Sequence, residues 1–408
     1  MLKILFFANT FCWQIGISHG ESKLGANVVV TMAIGLILLV QGKIFKKFPL
    51  ISIPIIAFIG IYSLPIVFIG PCQDEYLRAA ISGCVFILFY LVAFEVGRTA
   101  SNEDWADLQN CAMSALAIGA AMVLLEVTFP ELFPNTSGLR SMGKYSGIFS
   151  EPSALATALM PSIIILLNAS VRRKVIFGIV SVAVLFFVTK TATVIGVMLL
   201  YLIYSIFFKW PWRASSKVMI GGLITLFFFT IFGYDEFVDP VANRILGLFL
   251  GENTDQVSSM VYIAGIQDAT GNFLRTFGLG TGFNTMGCNP MPYSSIRDYL
   301  AISNLDGLNA RDGSFLLSKL VSEFGLFGFV VVAIIWRNMR SIELISMSKK
   351  MENFYIMSSV ISSLLLSFLF LSMVRSSGYF HGSIFMAILA LGGGFRLMRL
   401  QIFKLNRL

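Results

Sequence analysis

Two short stretches of this chain set cations, carboxylates and a phenol close together. GLRSMGKYSGIFSEPSA, over 138–154, carries Arg140, Lys144 and Tyr145 just ahead of Glu151. NARDGSFLLSKLVSEFGLFG, over 309–328, sets Arg311 beside Asp312 and puts Lys319 and Glu323 at helical i, i+4 spacing. Arginine forks grip phosphate or carboxylate oxygens in pairs, and a placed carboxylate orients or deprotonates a hydroxyl. The residue types therefore suit a substrate with an anionic group to neutralise and a hydroxyl to activate. Arg244, Arg275 and Arg375 add further cations, with Lys190 flanked by two threonines. Each has a plain reading beside this one. Glu-Pro-Ser at 151–153 is also what a helix start asks for, with proline in the first turn and a carboxylate at the positive end of the dipole. Lys319 and Glu323 also read as a structural i, i+4 pair, and an isolated basic residue near a membrane reads as one that snorkels.

The elements that must hold these residues are membrane helices. Of 408 residues, 56% are hydrophobic and only 13% charged, far from the composition of soluble domains. Spans of about 20 apolar residues fall near 2–18, 25–42, 49–70, 79–97, 110–127, 153–169, 173–189, 191–208, 217–233, 314–336, 355–374 and 380–397. The expected fold is an all-α polytopic bundle of about twelve transmembrane helices. The net charge of +8 does not imply a nucleic-acid partner, because the basic residues lie in short clusters between spans. Lys43, Lys46 and Lys47; Arg172, Arg173 and Lys174; Lys209, Arg213 and Lys217; Arg337, Arg340, Lys349 and Lys350; and Arg396, Arg399, Lys404 and Arg407 all fall on one side. The positive-inside rule makes that side cytoplasmic. Both termini then lie inside, and segments 129–152 and 234–313 lie outside, in a periplasm or its equivalent. The first span also admits a signal-peptide reading, against which Trp13 and Gln14 interrupt its apolar run.

Within the larger outer loop, Val257, Met260, Val261 and Ala264 recur at helical spacing and predict an amphipathic helix. GLGTGFN, over 278–284, is read as loop backbone and not as a dinucleotide fingerprint, since no strand leads into it. Cys72 and Cys288 would share the oxidising side and could pair. Two histidines, no CxxC and no HExxH make a metal site unexpected, and no cofactor motif is present.

RSMGKYSGIFSEPSALA, the TFGLGTGFN stretch behind its amphipathic helix and NARDGSFLLSKLVSEFGLFG resemble the bacterial O-antigen and capsule polymerases of the Wzy type, within the wider polymerase and ligase superfamily. The resemblance covers topology along the whole chain and motifs in short patches. It implies an inverting glycosyltransferase that works outside the membrane on undecaprenyl-pyrophosphate-linked oligosaccharide repeats, with a chain-length regulator protein as a possible partner. It further implies that Arg140 and Arg311 bind pyrophosphate, that Arg244, Arg275 or Arg375 assist alongside Lys144 and Tyr145, and that Glu151 or Asp312 is the acceptor base. The related ligases carry a histidine in the large outer loop; 234–313 has none, which favours polymerase. A lipid-linked oligosaccharide flippase is the competing class, since it would share about twelve spans and inner termini; transporters, however, place broken helices and charges near the midplane, whereas here the ionisable groups gather at the outer boundary.

Overall fold

The computed structural model describes residues 1–13, 16–19, 22–41, 52–64, 76–133, 144–149, 151–209, 257–287, 296, 300–301, 313–347, 352–375 and 378–405. In chain order the elements are α1 (Leu2–Phe11), the strands β1 (Gly16–His19) and β2 (Ser22–Gly25), α2 (Ala26–Val40), α3 (Ser52–Tyr62), α4 (Tyr76–Thr99) and α5 (Asn102–Thr128). Next come α6 (Pro152–Leu167), α7 (Arg172–Thr189), α8 (Ala192–Tyr204, continued by a π-turn over Ser205–Lys209) and α9 (Val257–Arg275). The series closes with α10 (Leu316–Phe324), α11 (Leu326–Met347), α12 (Glu352–Val374) and α13 (Gly382–Leu405). Helix starts follow from local chemistry. Ser101 accepts the Asp104 N–H at 3.1 Å while Asp104 accepts the Ser101 N–H at 2.9 Å, a capping box that satisfies two orphan donors.

The Ser-rich α12 is the central strut, packed against α5, α6, α11 and α13. Its buried Ser358, Ser362, Ser363, Ser367 and Ser372 donate to carbonyls three or four residues earlier, so the hydroxyls are satisfied within their own helix. Helices α4 and α13 approach backbone to backbone. A Cβ on Gly97 would lie 2.0 Å from the Leu389 oxygen, and one on Gly392 would lie 2.2 Å from the Phe94 oxygen, the small-residue contact typical of membrane helices.

Among the described residues, five helices are long and apolar enough to cross a membrane: Leu77–Thr99, Asn102–Thr128, Ala192–Lys209, Phe354–Val374 and Gly382–Leu400. Four more apolar helices are shorter. The chain thus has the pattern of a multi-pass membrane protein.

Three sequence expectations change. The span expected over 2–18 is a helix only to Phe11 and then a hairpin in which Gly16 pairs with Gly25 and His19 with Ser22. Ten helical residues rise about 15 Å, half of a bilayer core; Trp13 marks where the apolar run fails. The span expected over 314–336 is broken at Gly325 into α10 and α11. The glycine stretch, expected as loop backbone of the outer segment, is mostly buried and fills that break. By contrast, the amphipathic helix is present as α9, with Met260, Val261 and Ala264 buried and Gln267 exposed. It rests on the bundle: Ser314 donates to the Val261 carbonyl at 2.6 Å, and Tyr262 stacks on Phe315 at 4.3 Å. The expected span near 217–233 and the Cys72–Cys288 pair lie outside the described residues.

Gly325 has φ +57 and ψ −129, a region that only glycine enters freely, and a Cβ there would meet the Gly278 oxygen at 1.9 Å. Gly325→Ala is expected to cost at least about 1–3 kcal/mol from backbone strain alone, read as a lowered melting temperature of the detergent-solubilised protein.

Candidate functional site

At one end of the bundle, three segments are held by bonds that the helices alone would not make. The first is 144–149, leading to Glu151. Its anchor is Glu126, in the last turn of α5 and fully buried, whose Oε2 accepts the N–H of Ser146 at 2.9 Å and of Gly147 at 2.7 Å. The Tyr145 N–H donates to the Val188 carbonyl at 3.1 Å, at the C-terminal turn of α7. Phe149 packs against Phe11 and Trp13. The half-buried Lys144 and Tyr145 are thus fixed beside the α7–α8 junction, where Lys190 takes the left-handed conformation with φ 47.

Glu151 is the N-cap of α6, with Pro152 at its first position, yet its side chain makes no capping bond. The carboxylate instead forms an ion pair with the Arg375 guanidinium. The capping interpretation therefore explains the backbone and not the side chain. Both partners remain partly open, with 43% of the Glu151 side chain and 29% of the Arg375 side chain exposed.

The second segment is 278–287. Glu323 on α10 is fully buried and accepts the Asn284 N–H at 2.6 Å through Oε2, the Met286 N–H at 2.9 Å through Oε1 and the Tyr379 hydroxyl at 2.5 Å. Lys319 lies 3.7 Å from the same carboxylate and donates to Asn284 Oδ1 at 3.2 Å. The carbonyls freed at the α10–α11 break are used as well: the Thr281 N–H donates to Ser322 O at 3.1 Å and the Gly282 N–H to Glu323 O at 3.0 Å, while the Leu326 N–H donates to Gly278 O at 2.8 Å. Irregular backbone within a membrane bundle needs such internal partners. Lys319 and Glu323 do pair, as their spacing allows, and the pair serves to dock a loop.

The third segment, the turn after α12, joins the other two. Arg375 reaches Glu151, while Tyr379 reaches Glu323 and stacks on Phe283 at 4.5 Å. His381 is buried against Trp13 at 4.1 Å, with Nδ1 2.8 Å from Ser383 Oγ. In this turn, burial first and then the neighbouring Glu323 carboxylate raise the Tyr379 pKa well above its ordinary value, which keeps the phenol a hydrogen-bond donor.

Of the residues singled out in the sequence, the structure brings together Glu151 and Arg375, with Lys144 and Tyr145 on the segment leading into Glu151. Arg275 is exposed at the end of α9. Tyr262, thirteen residues earlier, donates to the Met373 carbonyl at 2.6 Å, so Arg275 sits about 20 Å along the helix axis from the contact nearest Arg375. Arg140, Arg244, Arg311 and Asp312 lie outside the described residues. Sequence reasoning missed Glu126, Asn284, Tyr379 and His381. Glu126 had a signal, as the lone carboxylate in the apolar run AIGAAMVLLEV, and such groups in spans face inward and are paired. The other three sit in connections whose contacts the sequence does not announce.

The opposite end carries its own polar network. Arg340 donates to Glu343 at 2.7 Å and to the Tyr204 hydroxyl at 3.2 Å, and Lys209 donates to Asn168 at 2.6 Å. Among the described residues, no group of three or more His, Cys, Asp or Glu side chains converges in a way that could hold a metal ion. Chemically, the Glu151 end offers a partly exposed carboxylate and guanidinium, with a lysine and a phenol on the segment that leads into Glu151. In comparisons with known proteins, no family model, no curated protein and no solved structure matches this chain.

Proposed function

We propose that this chain is a surface-polysaccharide polymerase that transfers a growing glycan from undecaprenyl pyrophosphate to a new lipid-linked repeat on the outer face of a bacterial inner membrane. The observation that carries the reading is the Glu151–Arg375 pair, which joins a carboxylate and a guanidinium at one end of an apolar bundle, both partly exposed. In this reading Arg375, aided by Lys144, neutralises the pyrophosphate leaving group, and Glu151 orients or deprotonates the acceptor hydroxyl while Tyr145 lines the approach. Arg140, Arg244, Arg275, Arg311 and Asp312 keep the roles that the sequence resemblance implies. In this reading the basic clusters between spans face the cytoplasm, as do both termini.

A second reading has one observation in its favour. The break at Gly325, with Lys319 and Glu323 buried beside it, is the kind of discontinuous helix that transporters use around a substrate. It suits a flippase for the same lipid-linked oligosaccharide. Against it, both groups are fully engaged in docking the glycine segment.

Gel analysis of surface polysaccharide from a strain lacking the protein separates these readings. A polymerase predicts loss of the long-chain ladder with a single-repeat band retained. Loss of every repeat-bearing band points to flippase or ligase, and an unchanged ladder refutes the polysaccharide assignment.

A further inference from the structure

We infer that Glu126 is a positioning residue of the site, a buried carboxylate whose task is to hold the Lys144–Glu151 segment in register with Arg375; its functional meaning rests on the polymerase reading. A carboxylate with no exposed surface in an apolar helix is unfavourable to bury, and here both hydrogen bonds it accepts come from one loop. Two successive backbone N–H groups converge on a single oxygen, forming the anion-binding concavity that a turn of the main chain can offer. Gly147 makes that turn possible, with φ +62 and only 3.2 Å between an added Cβ and the Met122 Cβ. Oε1 of Glu126 and Oγ of Ser146 are buried without a hydrogen-bond partner among the described residues. Only one oxygen of this carboxylate therefore does the holding.

That asymmetry yields the test. Glu126→Gln keeps an oxygen for both N–H donors, whereas Glu126→Ala keeps none, and Gly147→Ala disturbs the same turn from the other side. Each variant is made in a chain whose five native cysteines are replaced by serine, with and without Lys144→Cys as a position reporter. Two readouts are taken: the maleimide labelling rate at position 144, and the polysaccharide ladder from the chain that retains Lys144. Glu126→Ala and Gly147→Ala are expected to change the labelling rate severalfold and to cut long-chain polymer by at least about tenfold, as small misplacements of catalytic groups do. Glu126→Gln is expected to resemble wild type in both. If Glu126→Ala is degraded in the cell, Gly147→Ala against Glu126→Gln carries the same comparison. Unchanged labelling and ladder in Glu126→Ala overturn the inference. So does a Glu126→Gln chain that labels normally but makes no polymer, because the charge itself would then act. If labelling shifts as expected while the ladder never depends on this protein, the clamp stands and the polymerase reading falls.

Discussion

Glu323→Ala is expected to unfold the Glu151 end of the bundle, with the largest stability loss of any single substitution considered. The change strips three donors of their acceptor, namely the N–H groups of Asn284 and Met286 and the Tyr379 hydroxyl. It also leaves Lys319, 1% exposed, without its carboxylate. Breaking a buried pair in this way costs about 3–5 kcal/mol, a large share of the roughly 5–15 kcal/mol that holds a typical protein folded. Glu323→Gln is expected to fare nearly as badly, for a reason specific to this site. Both carboxylate oxygens receive backbone donors, so an amide nitrogen at either position faces another N–H. Lys319→Met should be milder, because Glu323 keeps its three hydrogen bonds. Melting temperatures and size-exclusion profiles in detergent check the order; a Glu323→Gln protein as stable as wild type would contradict the described geometry. The contrast with Glu126, where the amide is expected to be tolerated, follows from counting which oxygens are used.

Arg375→Ala should leave the protein folded and, if the chain is the proposed polymerase, remove most of the long-chain polymer. The ion pair with Glu151 is too exposed to matter much for stability, since such pairs are worth about 0–1 kcal/mol. A hydrogen bond to a charged group is worth about 1.5–3 kcal/mol, so losing one from the transition state slows the reaction roughly 10- to 150-fold. Glu151→Ala is expected to show an equal or greater loss, with melting unchanged. The charge-swapped double variant Glu151→Arg with Arg375→Glu discriminates further. A pair whose only task is to tie α6 to the turn after α12 would be rescued by the swap. A guanidinium that meets a leaving group and a carboxylate that meets a hydroxyl would not be. Restoration of the ladder by the swap would reduce the pair to a tether.

The longest apolar runs by themselves determined several of the helices. A stretch such as 355–374 or 110–127 has to be helical in lipid, because no water is there to satisfy its backbone, and the observed α12 and α5 cover both. Helical spacing likewise found α9, and Pro152 found the start of α6. These are local signals, decided within a few turns of chain. What only the tertiary structure decided is which polar groups meet. Glu151 and Arg375 stand 224 residues apart, and nothing in either neighbourhood names the other. Gly325 read as one more small residue in a span, yet it breaks the helix, because the Gly278–Gly282 backbone supplies the partners that the freed groups need. The 278–284 stretch read as outer-loop coil on its glycines, and Glu323 draws it into the bundle. Glu126 looked like a lone charge until the turn at Ser146–Gly147 folded onto it. Hydrophobicity places an element in the membrane without saying what faces it, and a buried carboxylate reveals its purpose only when the distant donors it collects are in view.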